Sequence, residues 1–472
     1  MGGLIVGSQA RLRGATAPSI VSIEPRGVLI PDCGLPGETR ADDVVPAHPN
    51  GIPVSRNRWL LVYATRGFRG VDDDLSIVYQ LRAGTLEGRL IKEGAFARTQ
   101  SDWDPLGNGD TRHVKQHGHP VAFGVPRGAR IGGQPAPSAN VFVVKWRKVA
   151  RDYDPVRRYL SPSANDLDIE TRTQAVEWAQ FRLNSAEDDI EIVQPPERLR
   201  QKGYESGPQI CAAPIKYINE TFVQGVPFNR ERTEWADCCH FDGGRVACLK
   251  YTFNAALGRY EWTHLGPFMG GDRNAPTIVA SGGKAGVMEA SLVPWRDGWI
   301  IAARGGPRGG ATWFRTEDPF GAPAPRGISP AAPHITCPLT AYAWPDGGLR
   351  LFSGDAKVSP YRNSRNPLYC WDIDPDRGFA ASSRRIIFDT VAAGLPFSPA
   401  ASPKVDMCKL LPSEGSTQAI VYRVSIRAYN HPYPGSPDIP RATAREKAAC
   451  AIYYSRITYA GPTPPAWEFA AL

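Results

Sequence analysis

Long apolar runs are missing from the 472 residues. None approaches the ~20 apolar residues that a membrane helix needs, so the expectation is a chain with no helical membrane span. Helical periodicity rarely persists beyond ten residues, which argues against a helix-built core. There is no Cys-x-x-Cys pair, and no Cys/His spacing suits a zinc site. Basic residues never run beyond a pair, and no nucleic-acid-binding signature occurs, so no nucleic-acid partner is expected. The opening MGGLIVGSQARLRG lacks a basic segment followed by a long apolar one. As written it is not a signal peptide, which leaves a cytoplasmic protein or a secreted one whose leader is removed.

Glycine (47) and proline (44) are abundant instead. Short apolar runs alternate with Gly, Pro, Asp and Asn, the pattern of an all-β protein with many short strands. The net charge of +8 is spread along the chain, which suits solubility or a basic cleft for an acidic ligand. The nine cysteines sit mostly inside apolar strand patterns, where a free thiol acts as a small hydrophobe. Cys238 and Cys239 are adjacent and point to opposite faces of a strand.

A unit recurs: strand, tight turn, strand, then two more strands around a polar loop. This is the pattern of a β-propeller blade. Units fall near 50–98, 117–195, 208–266, 286–330, 335–392 and 403–460. The last lacks an obvious fourth strand, and the apolar stretch 20–30 has no unit of its own. Pairing the two closes a ring and removes exposed edges. The expected fold is therefore all-β, one domain over 1–472, a six-bladed β-propeller closed by an N-terminal strand. Five or seven blades are the alternatives.

Blade ends on one face of such a ring converge on a central site. The stretch Gly286 to Phe320 is the most informative. Its first strand begins at Glu289, Arg296-Asp297-Gly298 makes a tight turn, and the second strand ends on Arg304. An antiparallel pairing brings Glu289 and Arg304 to the same rim. Other strand ends supply Arg66, Arg69, Asp72, Asp73, Asp74, His117, His119, Glu205, Arg365, Lys404 and Asp406. Carboxylates among these suit general acid, base or nucleophile roles, and arginines suit bidentate contacts to a sugar acid. His117 and His119, two apart in an extended segment, are expected to face the same side.

These features resemble the sialidase (neuraminidase) superfamily of six-bladed propellers. The residues that carry the resemblance are Ile52-Pro53 followed by TRGFRGVDDDLSIVYQLRAG, Glu289 followed by WRDGWIIAARG, then SRNPLYCWDID, and PKVDMCKLL followed by AIVYRV. Tyr251 to Trp262 and Thr316 to Gly321 are faint echoes of the family's Asp-box repeat. The resemblance implies an exo-acting glycoside hydrolase with a carbohydrate substrate and no cofactor. Arg304 and Arg365 match two of its three carboxylate-binding arginines, Glu289 its glutamate, and one of Asp72, Asp73 or Asp74 its acid/base. Gly51 stands where the first arginine would precede Ile-Pro, and Lys404-Val405-Asp406 where the nucleophilic tyrosine would open the sixth blade. The implied substrate is thus a sugar other than a standard sialoside, acidic sugars included. A carboxylate separation of ~5 Å would mean retention and roughly 6.5–9.5 Å inversion. Two alternatives stand: a propeller-type polysaccharide lyase using the histidines, and a non-catalytic propeller that binds a glycan or protein.

Overall fold

The computed structural model describes residues 19–31, 44–67, 74–98, 112–154, 159–162, 174–206, 209–212, 225–241, 244–270, 286–305, 310–330, 332–335, 337–343, 348–397, 402–426, 443–462 and 467–469. Among them Ala444–Ala449 is the one α-helix, and nearly all other regular structure is strand.

The strands form antiparallel sheets in chain order. The first holds Val44–Ser55, Arg58–Gly67, Asp74–Ala83 and Leu90–Ala97. The second holds Arg112–Val125, Val141–Asp154, Gln174–Leu183 and Ile190–Arg198. The third holds Val226–Pro227, Glu234–Phe241, Arg245–Asn254 and Arg259–Leu265. The fourth has Val287–Trp295, Gly298–Gly305 and Ala311–Thr316. The fifth has Thr340–Ala343, Leu349–Ser353, Leu368–Asp374 and Ala380–Phe388. The sixth runs Pro403–Leu410, Thr417–Ile426, Ala451–Tyr459, and its outer strand is Ile20–Ile30. A small sheet joins Glu468–Phe469 to Ala129–Ile131 and Gln134–Pro135.

Within 152–173, Tyr159–Pro162 folds back on the end of Val141–Asp154. Between 209 and 228, Val226–Pro227 is the strand among the described residues, and 213–224 lie outside them.

Apolar faces of neighbouring sheets bury each other, because a sheet exposes one face for each layer it meets. One cluster unites Phe142, Phe181 and Trp146 of the second sheet with Leu60, Val62 and Ile77 of the first. Others join the second to the third sheet (Phe123, Trp178, Tyr251, Trp262) and the third to the fourth (Val246, Leu292, Ile301). Two more join the fourth to the fifth (Trp313, Trp371) and the fifth to the sixth (Phe388, Tyr422). A further cluster joins the sixth sheet to the first through Leu29, Leu411, Val421, Trp59 and Tyr63. Trp313 stacks on Phe379 with ring centroids 4.9 Å apart. Burying each such ring is worth about 2–3 kcal/mol.

The first strands of four sheets share a backbone device. Register slips by one residue between Ala47 and Asn50, Gly118 and Val121, Met288 and Ala290, and Asp406 and Lys409. At each slip sits a non-glycine residue in the left-handed region: His48 (φ 51°), His119 (φ 56°), Glu289 (φ 50°) and Met407 (φ 55°). Such a bulge takes one side chain out of the strict alternation of a strand and re-aims it.

Candidate functional site

The Glu289–Arg304 hairpin closes as its pattern predicts. Trp295 pairs with Gly298 across the turn, and Met288 pairs with Arg304. Because Glu289 is the bulged residue, its carboxylate swings back over that pair. Arg304 Nη1 donates to both Oε1 and Oε2 at 2.8 Å. The carboxylate is nearly buried, while the Arg304 side chain keeps 20% of its exposure.

A second carboxylate is more deeply held. Asp406 is gripped by Arg365 Nη1 on Oδ2, and by Arg423 on Oδ1 through Nε at 2.9 Å and Nη2 at 2.6 Å. Burial alone would raise its pKa. Arg423, Arg365 and Lys404 outweigh burial and hold it far below the usual carboxylate range. Asp406 therefore stays ionised, and the charges of Asp406 and Glu289 both help keep Arg365 protonated. The two ion pairs thus belong to one electrostatic unit, although Glu289 and Asp406 sit on the first strands of the fourth and sixth sheets.

The unit extends to the first two sheets. Arg423 Nη1 lies 3.1 Å from His48 Nε2, and the His119 backbone N–H points at His48 Nδ1 at 3.3 Å. Both neighbours are donors, and a neutral imidazole has one ring lone pair, so His48 takes one of them at a time. The His48 and His119 rings are 3.8 Å apart. His240, on the second strand of the third sheet, is buried close enough to Arg147 and Arg304 to feel both. Burial first, then those two charges, push its pKa down to about 3, so it is neutral in ordinary buffers. Lys409 lies two residues beyond the bulge on the sixth sheet's first strand. Burial pushes its amine down to about 7, with Cys408 and Glu289 partly offsetting.

The sequence candidates separate accordingly. Glu289, Arg304, Arg365, Asp406 and His119 fall in the cluster, with Lys404 at its edge. His117 and His119 have different partners: the bulge between Gly118 and Val121 interrupts the two-residue period, and His119 lies against His48. His117 instead accepts from Trp146 Nε1 at 3.1 Å and lies 3.6 Å from Glu177. Glu205 is on an exposed turn, where it accepts from the Gly203 N–H at 2.9 Å beside Lys202, and it takes no part in the cluster. Arg66 and Asp74 pair as backbone neighbours on adjacent strands of the first sheet. Arg69, Asp72 and Asp73 lie outside the described residues, as does Cys33.

His48, Arg423, Lys409 and His240 escaped the sequence reading. One signal was available for His48: the His-Pro at 48–49 and the His-Pro at 119–120 fall at the same point of two successive units. The glycine before Ile52 also gains a reason. A Cβ on Gly51 would lie 3.2 Å from Leu61 and 3.3 Å from Leu411. A side chain there would press on both leucines, and the third guanidinium of the cluster comes from Arg423 on the sixth sheet.

Lys145 is fully buried between the second and third sheets. It pairs with Asp237 and donates to Tyr251 Oη at 2.9 Å and Cys239 Sγ at 3.4 Å. Burial disfavours its charge, but Asp237 and Cys239 outweigh that and keep it protonated. Among the described residues no group of three or more His, Cys, Asp or Glu is disposed to hold a metal ion, and no helix is long and apolar enough to cross a membrane. The eight described cysteines are all buried thiols.

No protein-family model matches the sequence, and no curated protein does. Solved structures do resemble it. NanB solved with Optactamide is 9% identical with a TM-score of 0.50, over 92% of this chain and 70% of that one. The Hadza microbial sialidase Hz136 is 10% identical with a TM-score of 0.49, over 88% of this chain. The chain spans 66% of that protein's length. The GH93 alpha-L-arabinofuranosidase of Fusarium graminearum, solved with arabinobiose, is 11% identical with a TM-score of 0.44, over 92% and 98%. The likeness is one of fold alone: a nearly all-β chain of antiparallel sheets that resembles propeller-fold structures.

Proposed function

We propose that the chain is a carbohydrate-active enzyme, a glycoside hydrolase acting on an acidic sugar other than a standard sialoside. One observation carries this reading. In the cluster the carboxylates are buried, at 9% for Glu289 and 1% for Asp406, whereas Arg304 and Arg365 keep 20% and 24% of their side-chain exposure. The open side of the unit is therefore cationic, which suits a sugar carboxylate. Arg304 and Arg365 bind that carboxylate. Glu289 works on the reacting centre, and one of Asp72, Asp73 or Asp74 supplies the second acid/base group. Asp406 positions Arg365 and Arg423. We read the architecture as a single six-bladed ring over 1–472, closed by the strand Ile20–Ile30. Six inter-sheet clusters support this, the last joining the sixth sheet to the first.

The test is hydrolysis of a panel of uronic-acid and nonulosonic-acid glycosides, with Glu289→Gln and Arg304→Met alongside. Release of a reducing sugar that falls at least ~100-fold in Glu289→Gln supports the reading. Full activity in Glu289→Gln refutes it. A second reading, elimination by a polysaccharide lyase, is favoured by the His48–His119 contact, which sets an imidazole beside the arginines. It predicts an unsaturated product absorbing in the near ultraviolet, lost in His119→Ala.

A further inference from the structure

The four bulges are one device used four times, and three of the four left-handed residues, His48, His119 and Glu289, belong to the cluster. Met407 is the fourth. An L-residue in the left-handed region costs about 1–2 kcal/mol, and glycine would relieve it. A methionine held there points to a role for its side chain.

Its neighbours account for the space on either side. Asp406 turns to Arg365 and Arg423, and Cys408 packs in the apolar core between the fifth and sixth sheets. Met407 belongs to none of the apolar clusters of the described residues, and it is more open than Asp406 or Cys408. The strand thus leaves an apolar, polarisable side chain only partly buried next to the carboxylate that anchors two arginines.

We propose that Met407 is a ligand-contacting residue that packs against the apolar, C–H-rich face of a sugar ring whose carboxylate is held by Arg304 and Arg365. The thioether is unbranched and soft, so it adapts to a ring face without demanding a hydrogen-bond partner. This inference rests on the acidic-sugar reading above and adds to it the surface that selects a ring over a bare anion.

The test is ligand-protected oxidation of the full chain. Hydrogen peroxide transfers one oxygen to the thioether, leaving water and a sulfoxide that mass spectrometry assigns to a residue. The chain has four methionines, and Met269, at 2% exposure, reports whether the fold is intact. Glucuronate, galacturonate and N-acetylneuraminate are the probes, with acetate as an anion that lacks a ring. Binding is read separately as a thermal shift that Arg304→Met abolishes. With a bound sugar acid, oxidation of Met407 slows about fivefold or more, while acetate leaves it unchanged. Met407→Gln weakens the sugar acid about tenfold and Met407→Leu by about twofold or less, because an apolar contact tolerates an apolar swap. A sugar acid that binds through Arg304 yet leaves Met407 oxidation unchanged overturns this inference and spares the acidic-sugar reading. Failure of every sugar acid to bind overturns both.

Discussion

Replacing Lys409 by methionine keeps the length of the side chain and removes its amine. In the folded chain that amine is pushed from 10.5 down to about 7, by burial first, with Cys408 and Glu289 partly offsetting. In the unfolded chain it returns to its ordinary value. Between these two values the unfolded state carries a proton that the folded state lacks, so raising the pH stabilises the fold. The shift corresponds to roughly 5 kcal/mol in all, at about 1.4 kcal/mol per unit. The stabilisation is complete above the unfolded value and is lost as pH falls towards 7. Urea unfolding of both proteins at three pH values between about 7.5 and 9.5 isolates this group, since other titrations cancel in the difference. Wild type gains about 2 kcal/mol on Lys409→Met across that range. The variant's advantage is therefore largest near neutrality and shrinks as pH rises. A difference that does not change with pH would refute the reasoning, because the amine would then be as basic inside the protein as outside. A difference that grows with pH would reverse its sign and place the amine in a stabilising ion pair.

Asp406→Asn leaves Arg365 and Arg423 without their shared counter-charge and costs about 3–5 kcal/mol, read by calorimetry. Adding Arg423→Met to it recovers part of the loss. Lys145→Met alone strands Asp237 in the core and costs a similar ~3–5 kcal/mol, whereas Lys145→Met with Asp237→Leu is close to wild type by denaturant midpoint. Deleting residues up to 31 uncovers the edge of Ala451–Tyr459 and the apolar surface under Leu29 and Ile30. Light scattering should detect aggregation at concentrations where the full chain stays monodisperse.

The opening hairpin shows how far local pattern reaches. The turn at Arg296-Asp297 and the meeting of Glu289 with Arg304 follow from alternation and turn chemistry, because both residues sit on one hairpin where sequence distance and spatial distance agree. The histidines show where it fails. His117 and His119 read as one face under a two-residue period, but a bulge at His119 interrupts that period and the two take different partners. Arg423 lies mid-strand with nothing in its surroundings to mark it. It matters because the sixth sheet's second strand brings it against His48, 375 residues away in the chain.

Composition and short-range pattern determined the strand-built class, the sheet-sized units, the hairpin's ion pair and the N-terminal strand's need for a partner. Each depends on contacts among a few consecutive residues or on edges that must be covered. Tertiary structure decided which charges converge and which of their sides stay open. It brought Arg423 into the cluster beside His48, drew Lys409 and His240 into low dielectric, and left Glu205 on the surface. Those outcomes depend on packing between strands far apart in sequence, where burial and the field of neighbouring charges, rather than residue type, set what a side chain can do.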